Sequence, residues 1–129
     1  MKGYYVLTLS DNSQKLLLEK FGQKYKKLIC HHITIAFGID ETEIINYFDD
    51  SEIVVKVIDY VDSNDGIETF VVSVNNTTKR HDNKVYHITH SLDPLWYKPV
   101  DSNSLLKNKE WNYSYDILID VKPEFIYFN

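Results

Sequence analysis

Two short stretches of this chain repeat one another: His31-His32-Ile33-Thr34-Ile35 and Tyr86-His87-Ile88-Thr89-His90 share a central His-Ile-Thr. Those residue types suit displacement at phosphorus. Such a reaction takes a proton from the nucleophile and gives one to the leaving oxygen. Histidine, with an unperturbed pKa near 6.5, does either job around neutrality. Two histidines facing each other across a phosphate divide the work. A threonine hydroxyl two residues along from each can donate to a non-bridging oxygen and stabilise the transition-state charge.

Strand alternation sharpens the repeat. Side chains on a β-strand point to opposite faces in turn. In the first stretch His32, Thr34 and Ala36 share one face, and Ile33, Ile35 and Phe37 share the other. In the second, His87, Thr89 and Ser91 share a face opposite Tyr86, Ile88 and Leu92. Each strand is therefore expected to bury its apolar face and to present His and Thr on the remaining one. One His-x-Thr alone carries little weight, because Thr is common in strands. Two copies in phase point to a shared site. His31 and His90 fall on the opposite faces by the same alternation, which assigns them structural roles. A metal site from His31, His32, His87 and His90 is disfavoured, since alternation splits the pairs and no Asp or Glu accompanies them at ligand spacing.

Three segments resemble the 2H phosphoesterase superfamily, named for paired His-x-Thr/Ser motifs. They are His31 to Gly38, Tyr86 to Leu92 and Lys98 to Leu106. Within the superfamily they are similar to the RNA-repair and tRNA-ligase-like cyclic phosphodiesterases. The resemblance implies an α+β, bilobal fold: two pseudo-symmetric antiparallel-sheet lobes with flanking helices around a central groove. It implies metal-independent, cofactor-free general acid/base cleavage of a nucleotide phosphodiester. A 2′,3′-cyclic phosphate, a 2′–5′ linkage and a cyclic signalling nucleotide all suit that chemistry. By this likeness His32 and His87 form the acid/base pair, its division left open, and Thr34 and Thr89 donate to phosphate oxygens. The family often has an apolar residue after the second threonine; here it is His90.

Tyr5, Ser91, Trp96, Tyr97 and Lys98 are the expected substrate contacts. Tyr4, Tyr5, Phe37, Trp96 and Tyr97 are candidates for base stacking. Ser91 continues the His87 face, and Lys98 offers a positive charge. Phe37 and one of Tyr4 and Tyr5 are read as core. Ser102 and Asn103 are read as caps of a short helix.

Composition limits the partners. The net charge is −5, which opposes a protein that coats duplex nucleic acid. A nucleotide or RNA end remains a suitable ligand, because a local pocket can be cationic within an acidic molecule. Arg80 is the only arginine, so a phosphate site is expected to rely on His, Thr, Ser, Lys or backbone N–H groups. Cys30 is the only cysteine, which excludes an intrachain disulfide and fits a reducing cytoplasm. No apolar run approaches membrane-spanning length. The oligomeric state is open. A non-catalytic module that sequesters a nucleotide or RNA end is the competing reading, and a small interaction domain with coincidental motifs is a third.

The elements that must position these residues fit a single domain over 1–129. Strands are expected at Tyr4 to Leu9, Leu28 to Phe37, Glu52 to Val61, Ile67 to Val74, Val85 to Leu92, Tyr113 to Val121 and Phe125 to Phe128. Asp62-Ser63-Asn64-Asp65-Gly66 signals a hairpin loop between the third and fourth. Leu17, Phe21 and Tyr25 recur at helical spacing over about 13–25, with Asn12 or Ser13 as cap. Short helices are expected at Glu41 to Phe48 and Asp101 to Lys107.

Overall fold

The computed structural model describes residues 1–48, 52–107 and 109–129. Its first strand, β1 (Lys2–Leu9), leads into helix α1 (Asp11–Phe21). The helix cap is Ser10, not Asn12 or Ser13: its hydroxyl accepts from the Ser13 amide at 3.1 Å. Gly22, at φ 70°, ends the helix in a left-handed turn that glycine adopts without a Cβ penalty. That stop excludes Tyr25 from the helix. Its hydroxyl instead donates to the Asp62 carboxylate at 2.5 Å.

The expected strand over 28–37 is in fact two strands in two sheets. β2 (Lys27–Leu28) belongs to the larger sheet, and β3 (His32–Asp40) to the smaller. The Ile29 and Cys30 amides still donate to the carbonyls of His90 and Thr89, at 2.8 and 2.9 Å. Cys30 then turns left-handed (φ 38°), and the His31 carbonyl accepts from Leu9 of β1. One segment thus crosses between sheets at Cys30 and carries His32 to the seam between them.

A 3-10 turn (Glu41–Ile44) and α2 (Ile45–Phe48) follow β3. The capping box of Asp40 and Glu43 starts that turn. The predicted hairpin is present as β4 (Val55–Asp62) and β5 (Ile67–Val74), and the second motif strand is β6 (His87–Leu92). After α3 (Asp101–Lys107) come β7 (Ile117–Ile119) and β8 (Val121–Tyr127). β8 runs straight through Pro123. It can do so because it is an edge strand, where the missing N–H breaks no ladder on the open side.

The result is an α+β fold with two antiparallel sheets, ordered β3-β1-β8 and β2-β6-β5-β4-β7. One core fills the space between them. Leu7, Ile33 and Ile35 from the small sheet meet Phe70, Val72 and Ile88 from the large one, with Leu17 of α1. Each such side chain, fully buried, contributes roughly 1.5–3 kcal/mol. Ile33 and Ile88, the central residues of the two motifs, are both fully buried, so they hold their strands in place.

Each motif strand is also bulged, one residue past its threonine. In β3, Thr34 pairs with Val6 and Ala36 with Tyr5, so Ile35 is the extra residue. In β6, Thr89 pairs with Thr69 and Ser91 with Glu68, so His90 is the extra residue. A bulge reverses which face the later side chains occupy. Two expectations built on strict alternation are overturned by it. Phe37 swings out of the core face and is 67% exposed, whereas Ser91 swings into the interior and is fully buried.

Among the described residues no helix is long and apolar enough to cross a membrane.

Candidate functional site

A cavity of about 370 Å³ opens at the seam of the two sheets. That is the volume range of small-molecule sites. His32 and Thr34 enter its wall from β3, and His87 and Thr89 from β6. All four residues therefore meet in one pocket. Arg80 and Lys84 add positive charge, Tyr4 and Phe37 add aromatic surface, and Ile29, Pro99, Val100 and Asn103 complete the lining. Among the described residues no carboxylate lines the cavity, although the chain as a whole carries a net −5. The local field thus opposes the global one and favours an anion.

The two histidines are held differently. His87 Nδ1 lies 2.8 Å from the Val85 carbonyl oxygen. A carbonyl can only accept, so Nδ1 carries the proton and Nε2 is the free, reactive nitrogen. Burial pushes the His87 pKa down; the Val85 carbonyl opposes that, and the nearby Arg80 and Lys84 charges reinforce it. His32 is lowered to about 4, by burial first and then by His31 and His87. Burial thus favours the neutral form of both imidazoles.

His31 does not take the structural position that alternation assigns it. It precedes β3, at the crossing between sheets, where no strand parity applies. Its exposed ring lies edge-on to His32, with the two Nδ1 atoms 3.1 Å apart. One nitrogen must donate and the other accept, so the tautomers of the pair are coupled.

The two threonines differ as well. Among the described residues no hydrogen bond occupies the Thr34 hydroxyl, which stands at the half-buried cavity wall. The Thr89 hydroxyl donates to the Pro99 carbonyl at 3.0 Å and lies 2.8 Å from the buried Ser102 hydroxyl. With its one proton on Pro99, it accepts from Ser102. The residue expected to be a helix cap, Ser102, thus latches α3 to β6.

The expected substrate contacts lie elsewhere. Tyr5 is buried in the core against Tyr47 and Phe48, and its neighbour Tyr4 faces the cavity instead. Strand alternation in β1 allows only one of the two to do so. Ser91 points inward, accepts from the Tyr25 amide at 3.1 Å, and donates to the buried carboxylate of Glu68. Trp96, Tyr97 and Lys98 follow the far end of β6. That end lies five residues, about 16 Å, from His87. Trp96 is 74% exposed there. Tyr97 packs over Gly66 and donates to Asp65 at 2.6 Å, so it fastens the β4–β5 loop. The Lys98 amide donates to Asp101 at 2.8 Å, and its side chain does not line the cavity.

Arg80 and Lys84 escape the sequence reading, whereas Tyr4 and Phe37 line the cavity as two of the wider set of stacking candidates. The bulge swings Phe37 out of the core face. Arg80 and Lys84 sit in a polar loop whose folding back is set by the Arg80 amide donating to the Lys84 carbonyl at 2.8 Å. Nothing in the local pattern announces that turn. His90 does follow parity: it is fully buried, 4.8 Å from the Phe70 ring, with Nε2 2.6 Å from the Gly22 carbonyl.

Among the described residues no group of three or more His, Cys, Asp or Glu side chains is arranged to hold a metal ion. No family model, curated protein or solved structure matches this chain.

Proposed function

We propose that this chain is a metal-independent phosphodiesterase of the 2H kind, acting on a nucleotide phosphodiester. A 2′,3′-cyclic phosphate, a 2′–5′ linkage and a cyclic signalling nucleotide are the substrate classes in view. One observation carries the reading. Both His-x-Thr motifs line a single cavity that also holds two cations and, among the described residues, no carboxylate. On this reading the two sheets correspond to the two lobes, and the cavity to the groove between them.

His32 is the base. Its low pKa keeps it neutral at pH 7, ready to take the proton of water or of a ribose hydroxyl. The freed oxygen attacks phosphorus, and the P–O bond to the leaving oxygen breaks. His87 Nε2–H supplies the proton to that oxygen. Its contact with the Val85 carbonyl favours the imidazolium, and a bound phosphate offsets the Arg80 and Lys84 charges that disfavour it. Thr34 donates to a non-bridging oxygen. The pair titrates as a coupled system, so the pH profile reports both rings together.

The test is a panel of these three substrate classes with EDTA present, comparing the unaltered protein with His32→Ala and His87→Ala. Turnover that survives EDTA and falls by roughly 10²–10⁴-fold in each variant is expected. Full activity in the double variant would end this reading. A second reading, sequestration without turnover, draws on the engaged Thr89 hydroxyl. Bound ligand recovered unchanged after long incubation favours it.

A further inference from the structure

Two residues of the cavity wall each carry a buried polar atom with no hydrogen-bond partner among the described residues, and the two atoms are of opposite kind. Arg80 Nε is a donor without an acceptor, and Asn103 Oδ1 is an acceptor without a donor. Both residues line the cavity that His87 and Thr89 enter. Thr8 Oγ1 and His90 Nδ1 are also unpaired, but neither residue lines that cavity. A buried polar group left unpaired costs about 1–3 kcal/mol, and folded proteins keep few of them. Two in one pocket, of complementary sense, suit a ligand that supplies the missing partners.

The surroundings say what each atom seeks. Arg80 is 5% exposed, and its Nη2 pairs with Asp82 at 2.9 Å. That pairing fixes the guanidinium and leaves Nε as its unsatisfied edge. Arg80 and Lys84 are both close enough to His87 to disfavour its protonation. An anionic oxygen beside His87 is therefore the natural acceptor for Nε–H. The Thr89 hydroxyl is engaged by Pro99 and Ser102, so the second half of the site lacks a free hydroxyl donor. Arg80 supplies an N–H donor from the neighbouring loop.

We infer that Arg80 and Asn103 form a two-point anchor for a nucleoside phosphate. Arg80 Nε–H donates to a non-bridging phosphate oxygen, and Asn103 Oδ1 accepts from an O–H or N–H of the attached nucleoside. This rests on the phosphodiesterase reading for the place of the phosphate, and it adds a requirement. The ligand carries a hydrogen-bond donor beside its phosphate, so bare phosphate fills only half of the anchor.

Because Arg80 is the only arginine in the chain, it gives a single side-chain ε N–H signal in a ¹H–¹⁵N spectrum, and no variant is needed to assign it. Titration of the intact protein with adenosine 3′-monophosphate is expected to shift that signal and slow its exchange with water. Inorganic phosphate is expected to shift it too, with weaker affinity. Asn103→Ala is expected to weaken the nucleotide about tenfold, the worth of one hydrogen bond, and to leave phosphate binding unchanged. The 2′-deoxy analogue then identifies a ribose hydroxyl as the donor if the tenfold difference disappears with it. The inosine analogue does the same for the base amino group.

An Arg80 signal unmoved by the nucleotide, no nucleotide binding at all, or equal weakening of phosphate and nucleotide in Asn103→Ala would each overturn the anchor. The expected shifts without turnover of any cyclic phosphate overturn the phosphodiesterase reading and leave the anchor standing. Turnover with an unmoved Arg80 signal does the reverse.

Discussion

The two His-Ile-Thr strands are built alike and finished differently. Each buries its isoleucine, turns His and Thr toward the same cavity, and bulges one residue past the threonine. The β6 half is then locked. A backbone carbonyl fixes the His87 tautomer, and Pro99 and Ser102 hold Thr89. The β3 half stays loose. Among the described residues His32 hydrogen-bonds only to another, exposed histidine, and the Thr34 hydroxyl has no partner. The difference follows from position in the fold. β6 lies inside the five-stranded sheet under a loop and a helix, whereas β3 begins at an edge where the chain has just changed sheets. A locked ring of fixed tautomer suits delivering a proton to one atom. A ring coupled to a solvent-exposed partner suits accepting a proton and passing it on.

The largest effect that separates the halves comes from the leaving group. An aryl phosphodiester with a good leaving phenolate needs no acid, whereas a ribose leaving oxygen does. His87→Ala is expected to lose on the order of 10³-fold on the ribose substrate and far less on the aryl one. His32→Ala is expected to lose heavily on both. Steady-state rates on the two substrates decide it. Equal losses across both substrates for both variants would mean that the halves do not divide the proton work.

The threonines give a smaller contrast, of two different kinds. Thr34→Ala removes a free donor and is expected to cost on the order of 10²-fold in kcat with little change in stability. Thr89→Ala removes a latch and leaves the buried Ser102 hydroxyl and the Pro99 carbonyl without it. It is expected to cost about 1–3 kcal/mol in denaturant unfolding and less than about tenfold in kcat. A catalytic loss at Thr89 as large as at Thr34 would show that its hydroxyl leaves Pro99 when substrate arrives.

How much of this is written in the sequence depends on how local the cause is. The apolar partners of the motifs are legible because period-two alternation near Ile33 and Ile88 needs only neighbours. The β4–β5 hairpin is legible from the Asp62–Gly66 turn, and α3 occupies its expected Asp101–Lys107 although Ser102 and Asn103 lie within it and not at a cap. The bulges at Ile35 and His90 are not, because an extra residue is defined by the partner strand, and no local residue type demands it. Those bulges misassign Ser91 and Phe37 together. The sheet crossing at Cys30 is equally silent, since a buried cysteine in a left-handed conformation has no sequence signature. Trp96, Tyr97 and Lys98 lie outside the cavity lining for a geometric reason: closeness to a motif along the chain is distance in space when a strand lies between. Arg80 reaches the pocket through a loop folded back by the bond from its amide to the Lys84 carbonyl. Its identity as the lone arginine is the only trace it leaves in the sequence.

The finest test of the comparison concerns His31. A positive charge on His31 disfavours one on His32, which is part of why the His32 pKa falls to about 4. Burial is the larger cause and stays when His31 is removed. His31→Ala is therefore expected to raise the His32 pKa only partway toward its ordinary 6.5. On the proposed mechanism the base must be neutral to work, so the acid limb of kcat/KM moves upward from near pH 4, by less than about one pH unit. At pH 7 His32 is neutral in either protein, and the rate changes little there. A fall at pH 7 with no movement of the acid limb would mean that His31 acts by positioning the His32 ring. In that case replacement by Asn, which keeps a polar partner for Nδ1, should restore the rate where Ala does not.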